Sequence, residues 1–465
     1  MEKYKISFKD NDTPKYVQVV QHIKKLIEEN MIRDGEKLPP IRDMASMLNV
    51  NRITVVNAYK KLEGEGYAVQ KIGSGTYAKK KEIVLNFRRR YGEVIRKSLD
   101  DKSLKYIDFT GESISSELFH IDIFKNIIDE VLERDGVKAL VNQEALGYEG
   151  LRKTIDDFFW NGNVGSDNVL IVSGAQQGID IVSKALINVN DNIVVEKPTY
   201  GGALTVFKWR RANIFEVPIE ENGMNLDQLE KLVKKNKIKC VYIMSYFQNP
   251  TGISYSLEKK KRLLNMAEIY DFYIIEDDYL SELIYNDMEY KSFKSMDIND
   301  RVIYIKSFSK VFLPGIRLGY LISPKVFREN IQNSKVSTDI ATSSLMQRVL
   351  ELYVCNGLWK GYISDLNKFY KKKYEIIANQ LKIKLCNKAQ IIYPNGGLYF
   401  YIKILNDNMD CIKLFYKCRE NTLLITPGVL FYLNPEEGKK YFRMGFSQVK
   451  DEDIEKGIDI LNTLL

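Results

Sequence analysis

The sequence predicts an α/β protein: a small N-terminal winged helix-turn-helix, then a large domain built on a mostly parallel sheet. Three observations carry this reading. The first 65 residues place apolar side chains at helical spacing and lead into two short runs around Gly73-Ser74-Gly75. From about residue 106, short apolar strands alternate with amphipathic helices, the pattern of a parallel sheet covered on both faces. The charge is uneven: residues 1–105 carry 23 Lys and Arg against 14 Asp and Glu, a net of +9, while the whole chain is +8, so the remainder sums to −1. A small polyanion-binding module attached to a near-neutral body accounts for that asymmetry. The expected division is residues 1–80, a linker at 81–105, and a body at 106–465.

In the first eighty residues, KYVQVVQHIKKLIEEN sets Tyr16, Val19, Val20, Ile23, Leu26 and Ile27 on one helical face, with Pro14 just ahead. After the turn at Asp34-Gly35, LPPIRDMASMLNV gives a short helix with Ile41, Met44, Ala45 and Leu48 inward. Asn49-Val50-Asn51 breaks it, and RITVVNAYKKLEGEGY starts a third helix with Val55, Ala58 and Leu62 inward. AVQKIGSGTYAKK reads as a glycine-tipped hairpin. Two short helices across a tight turn followed by such a hairpin make a winged helix-turn-helix. Arg42, Arg52, Thr54 and Asn57 fall at helix starts or on the outer face of the third helix, where phosphates and base edges are met. The string from LPPIRDMA through VNRITVVNAYKKLEGEGY to GSGTY resembles the N-terminal domain of GntR-type bacterial regulators. The resemblance implies contacts to operator DNA from Arg42 and Arg52, with Thr54 and Gly75 beside them. The stretch 79–105 carries basic triplets at 79–81 and 88–90 and no proline, and reads as a partly helical linker.

The body follows in order. NVLIVSG is a strand ending in Ser-Gly, and AQQGIDIVSKALI is a helix with Ile179, Val182 and Leu186 on one face. NIVVEKPTYGG is a strand and loop, and CVYIMSY precedes FQNPTG. Ser256 caps SLEKKKRLLNMAEIY, and FYIIEDDY and RVIYIKSFSK are the next strands. In such sheets ligands gather at the carboxyl ends of the strands. The residues falling there are Gly174, Ala175, Gln176, Tyr200, Asn249, Asp277, Tyr279, Ser307, Ser309 and Lys310.

Composition narrows the chemistry. Five scattered cysteines offer no closely spaced zinc-ligand pair, and His22 and His120 lie far apart, which argues against a metal centre and against Ser-His-Asp hydrolysis. No apolar run reaches membrane-spanning length and the start lacks a secretory leader, so a cytoplasmic protein without membrane attachment is expected. What remains fits pyridoxal phosphate. Lys310 supplies the amine for a Schiff base. Asp277 supplies the carboxylate against the ring nitrogen. Asn249 and Tyr279 offer donors to the 3-oxygen, and Tyr200 an aromatic face. Gly174-Ala175-Gln176 at a helix start, with Ser307, Ser309 and Arg317, suits the phosphate. Taken singly, each of these residues has an ordinary structural role; it is their joint occurrence at successive strand ends that points to a site.

SGAQQG, PTYGG, NPTG, EDDY, SFSKVFLPGIRLGY, NGGLYFYI and YFRMGFS together resemble a fold-type I, class I aminotransferase with its C-terminal small subdomain. Joined to a GntR-type winged helix, the chain resembles the MocR family of bacterial transcription regulators. The resemblance implies that the cofactor joins Lys310, that Asp277 pairs with the ring nitrogen, and that Arg443 grips a ligand carboxylate, a role its planar fork suits. It also implies a homodimer, paired head-to-tail with swapped domains, that binds double-stranded operator DNA and answers to pyridoxal phosphate or an amino compound. One departure stands out: where the family carries a tyrosine that reaches the phosphate across the dimer, VNQEALGYEGLR places Asn142. A catalytically active aminotransferase with an appended DNA-binding domain is the rival reading, and DNA binding with a cofactor-free body is a third.

Overall fold

The computed structural model describes the chain except residues 1, 7, 9–12, 29–30, 34, 66, 72, 80–86, 88–89, 98–104, 143 and 287. It divides into two compact units, Met1–Leu104 and Lys105–Leu465. Most of the stretch expected to be a linker, 81–105, lies outside the described residues; within it residues 90–97 are helical.

The first unit packs α1 (Lys15–Glu28), α2 (Ile41–Leu48) and α3 (Arg52–Gly64) with a hairpin of β1 (Ala68–Lys71) and β2 (Gly75–Ala78). α2 ends because Asn49 turns left-handed (φ 51°), and α3 begins because the Asn51 side chain accepts from Ile53 N at 3.0 Å. Val19, Val20, Ile23, Ile27, Met44, Val55, Ala58 and Leu62 form one buried cluster, the inward set expected from spacing. Leu62 is 0% exposed. Leu62→Ala is therefore expected to destabilise this unit by about 2–5 kcal/mol. Chemical denaturation checks this; a loss well under 1 kcal/mol would contradict the packing.

In the second unit β3 (Ile107–Asp108) precedes β4 (Val169–Val172), β5 (Asn192–Lys197), β6 (Asn213–Glu220) and β7 (Gly223–Met224). There follow β8 (Ile238–Ile243), β9 (Tyr273–Asp278), β10 (Val302–Ser307) and β11 (Gly319–Ile322). Among the described residues eight strands form one sheet in the order β4-β11-β10-β9-β8-β5-β6-β7. β10-β9-β8-β5-β6 are parallel neighbours. β11 runs antiparallel to both β10 and β4, so β4 points the same way as β10. The carboxyl ends of β4, β5, β8, β9 and β10 thus share one rim. Helices Ala175–Leu186 and Gly201–Trp209 leave from that rim.

A smaller sheet joins β12 (Ala389–Ile392), β13 (Tyr399–Ile404), β15 (Thr426–Pro427) and β16 (Tyr441–Gly445) in the order β12-β13-β16-β15, while β14 (Leu423–Leu424) pairs with β3. Arg443 lies on β16 between Tyr401 and Thr426 of its neighbours. The β3–β14 pair fixes the chain that runs on through residues 109–115 beside the small sheet. No helix among the described residues is long and apolar enough to cross a membrane.

Candidate functional site

One pocket on the rim is lined by Ala175, Gln176, Tyr200, Asn249, Asp277, Tyr279, Ser307, Ser309, Lys310 and Arg317, together with Glu112 and Met244. Nearly every residue that the sequence reading set at a strand end therefore meets the others here. Gly174 stands just behind the lining and Arg443 just beside it.

Asp277 is buried near the end of β9. Its Oδ2 accepts from the Tyr242 hydroxyl at 2.6 Å, and its Oδ1 has no hydrogen-bond partner among the described residues. Burial raises the carboxyl to about 6, against the lowering effect of the Tyr242 bond. A buried carboxylate oxygen left without a donor, on a residue that lines the pocket, fits a protonated ring nitrogen there.

Across the pocket, the helix Ala175–Leu186 starts at Gly174, whose φ is 91°. A Cβ at Gly174 would lie 2.8 Å from Arg317 Nη2, so only glycine lets the guanidinium come this close to the helix start. Arg317 itself turns left-handed (φ 49°) and donates Nη2 to Ser173 O at 3.0 Å. The first N–H groups of a helix have no intrahelical acceptor. With the buried Ser307 and Ser309 hydroxyls and Arg317 they form an anion cradle.

The remaining groups sit between these poles. The Tyr200 hydroxyl donates to Gln176 Oε1 at 3.1 Å, which orients its ring along the pocket. Asn249 Oδ1 accepts from Arg443 Nη1 at 2.7 Å, which leaves the NH2 as the part of its amide with hydrogens to donate. Tyr279 donates its hydroxyl hydrogen to Phe247 O at 2.5 Å, so of the two donors expected for the 3-oxygen, Asn249 is the one with a hydrogen to offer. The loop carrying Asn249 is held from below by Glu196, which accepts from Tyr255 at 2.8 Å and Gln248 at 3.1 Å. Burial pushes the Glu196 carboxyl up to about 8.

Sequence reasoning missed Glu112. Its Oε2 accepts from Lys310 Nζ at 3.0 Å and its Oε1 lies 2.6 Å from Arg443 Nη2. Burial pushes this carboxyl up, but Arg443 and Lys310 together overcome that and hold it near 2. Arg443 is 1% exposed, with its guanidinium carbon 4.3 Å from the Tyr399 ring centre. Nothing in the local sequence links position 112 to 310 or 443. Asn142 sits exposed at the end of the short helix Lys138–Val141.

In the first unit, Arg42, Arg52 and Asn57 are exposed and Thr54 is half-buried on α2 and α3, while Gly75 opens β2 on the exposed side of the hairpin. They offer two cations and an amide at the starts and on the outer face of these helices, the arrangement that meets a duplex groove.

Known proteins resemble both units. Residues 118–461 match the family model described as aminotransferase class I and II, and residues 15–78 match that of bacterial regulatory proteins, gntR family. Aromatic-amino-acid aminotransferase 1 of Thermococcus litoralis is 30% identical over 360 residues, covering 76% of this chain and 86% of that protein. The uncharacterized HTH-type transcriptional regulator YdfD of Bacillus subtilis is 27% identical over 470 residues, covering 97% of this chain and 96% of its own. Among solved structures, Pyrococcus horikoshii kynurenine aminotransferase in complex with PMP superposes with a TM-score of 0.76 at 29% identity, covering 80% of this chain and 93% of that one.

Proposed function

Because the chain belongs to the class I and II aminotransferase family and carries a gntR-family regulator domain ahead of it, the arrangement of the MocR regulators, we propose that it is a transcription regulator whose large domain holds pyridoxal phosphate and senses an amino compound. Residues 1–80 bind operator DNA, 81–105 link, and 106–465 sense. The observation that carries the cofactor reading is the buried Asp277 Oδ1, without a hydrogen-bond partner among the described residues, on a residue that lines the same pocket as Lys310, Ser307, Ser309 and Arg317. The full-length match to YdfD, through both domains, supports a regulator over an enzyme with an appendage.

When bound, pyridoxal phosphate supplies an aldehyde for an amine and an electron-withdrawing ring. The chain's own residues do the rest. Asp277 would hold the proton at the ring nitrogen. Asn249 would donate to the 3-oxygen, and the Tyr200 ring would cover one face. The N–H groups at Ala175 and Gln176, the hydroxyls of Ser307 and Ser309, and Arg317 would hold the phosphate. Lys310 would offer its amine to the aldehyde, and Arg443, which Glu112 engages in the ligand-free pocket, would be the guanidinium that a ligand carboxylate competes for. Entry of an amino compound would bias the large domain between two states, which the DNA-binding heads of a cytoplasmic, head-to-tail, domain-swapped homodimer would report as a change in affinity.

The test is a fluorescence-anisotropy titration of the full-length protein on the intergenic DNA flanking its own gene, before and after loading with pyridoxal phosphate. Loading is expected to shift the dissociation constant, and log affinity to fall linearly with log salt. Arg52→Ala is expected to weaken DNA binding by about 1–3 kcal/mol, roughly fivefold to a hundredfold, with the visible band of the loaded protein intact. Multiple-turnover transamination over a panel of amino donors, with no retention of DNA at low salt, would instead support the enzyme.

A further inference from the structure

Arg443 already has a carboxylate. Glu112 spans the two cations of the pocket, with Oε1 2.6 Å from Arg443 Nη2 and Oε2 3.0 Å from Lys310 Nζ. The other arm of the guanidinium donates to Asn249 Oδ1 at 2.7 Å. We propose that Glu112 is a specificity-determining residue which keeps Arg443 engaged and so selects amines lacking a carboxylate beside the amino group over α-amino acids. This rests on the reading of the pocket as a pyridoxal phosphate site.

An α-amino acid whose nitrogen took the place of the Lys310 amine would carry its carboxylate one carbon away, into the space between Lys310 and Arg443. That is the space Glu112 fills. The incoming carboxylate has to displace Glu112 or lie beside it, and two like charges in a partly desolvated site repel strongly. The backbone under Glu112 offers no retreat. Gly445 N donates to Phe109 O at 2.7 Å, and Gln448 Nε2 donates to Ser113 O at 2.7 Å and Ile114 O at 2.9 Å. The chain packs so closely at Gly111 that a Cβ there would lie 2.5 Å from Gln448 Cγ. Glu112 therefore yields only by side-chain rotation, which strips a nearly fully buried guanidinium of its counter-charge. An amine without that carboxylate leaves the Glu112–Arg443 pair in place.

The experiment uses the full chain loaded with pyridoxal phosphate, and L-lysine and cadaverine as probes, which differ only in the α-carboxylate. Affinities are read from changes in the visible band. Wild type is expected to bind cadaverine about tenfold tighter than lysine, and Glu112→Gln to bring that ratio to about unity by tightening lysine about tenfold. Glu112→Asp, too short to span both cations, is expected to fall between, which separates the charge from a general loss of packing. Pentanoate, a carboxylate with no amine, is expected to give calorimetric binding heat with Glu112→Gln and none with wild type. A lysine-to-cadaverine ratio at or above unity in wild type and unmoved by Glu112→Gln overturns the proposal while leaving the cofactor reading intact. If no visible band forms at saturating pyridoxal phosphate, the pocket reading fails and takes this inference with it.

Discussion

Lys310→Ala is expected to abolish the visible band of the loaded protein and to weaken pyridoxal phosphate binding about a hundredfold or more, since Lys310 is the one lysine among the described residues that line the pocket. Binding does not vanish, because the cradle of Ala175, Gln176, Ser307, Ser309 and Arg317 and the carboxylate of Asp277 are untouched. A second consequence follows from Glu112, which Lys310 helps Arg443 to hold ionised. Alanine takes one of its two cations away, so Lys310→Ala changes both covalent capture and local charge. Lys310→Arg separates them: it keeps a cation near Glu112 and offers no nucleophilic amine. Both variants should lose the band, and arginine should keep more of the thermal stability of the cofactor-free protein. Absorbance and equilibrium dialysis measure the first effect, and differential scanning calorimetry the second. A band that survives alanine at 310 would show that another amine captures the aldehyde and would remove the basis for the sensing reading.

The rim was legible because it rests on local patterns. Strand–helix alternation set the direction of β4, β5, β8, β9 and β10, and direction alone brings Gly174, Tyr200, Asn249, Asp277 and Lys310 to one edge. The break at Asn49-Val50-Asn51, the cap at Ser256 and the inward set of α1, α2 and α3 were legible for the same reason. Glu112 was not. It lies in an irregular segment after a two-residue strand, and that segment is aimed by pairing with Leu423–Leu424 and by bonds from Gly445 and Gln448, over three hundred residues away. The hydroxyl hydrogen of Tyr279 was equally out of reach, because its direction toward Phe247 O is a matter of side-chain rotation rather than of periodicity. Glu196 reads in the sequence as one charge within the apolar run NIVVEK, and its role in holding the Asn249 loop depends on Gln248 and Tyr255 closing over it.

Asp277→Asn is expected to move two measurements in opposite directions. In the cofactor-free protein the Asp277 carboxyl is raised to about 6, burial being the main cause. An acid whose folded pKa lies above its unfolded value of about 3.9 adds stability while protonated, below about pH 4, and loses it as pH rises through 6. At pH 8 the ionised, half-satisfied carboxylate thus costs roughly 2–3 kcal/mol. Asparagine removes that charge, and its carbonyl still accepts from Tyr242. The cofactor-free variant should therefore melt a few degrees above wild type at pH 8, with the advantage gone near pH 4. Pyridoxal phosphate binding should weaken at the same time, about tenfold to a hundredfold, because asparagine turns an NH2 rather than a carboxylate toward the ring nitrogen and donor then meets donor. Melting scans across pH and a cofactor titration by absorbance read the two effects separately. If the variant lost stability at pH 8, Asp277 would be a structural group already satisfied by the fold; if it gained stability and kept full cofactor affinity, the free oxygen at Asp277 would have no part in holding the ring.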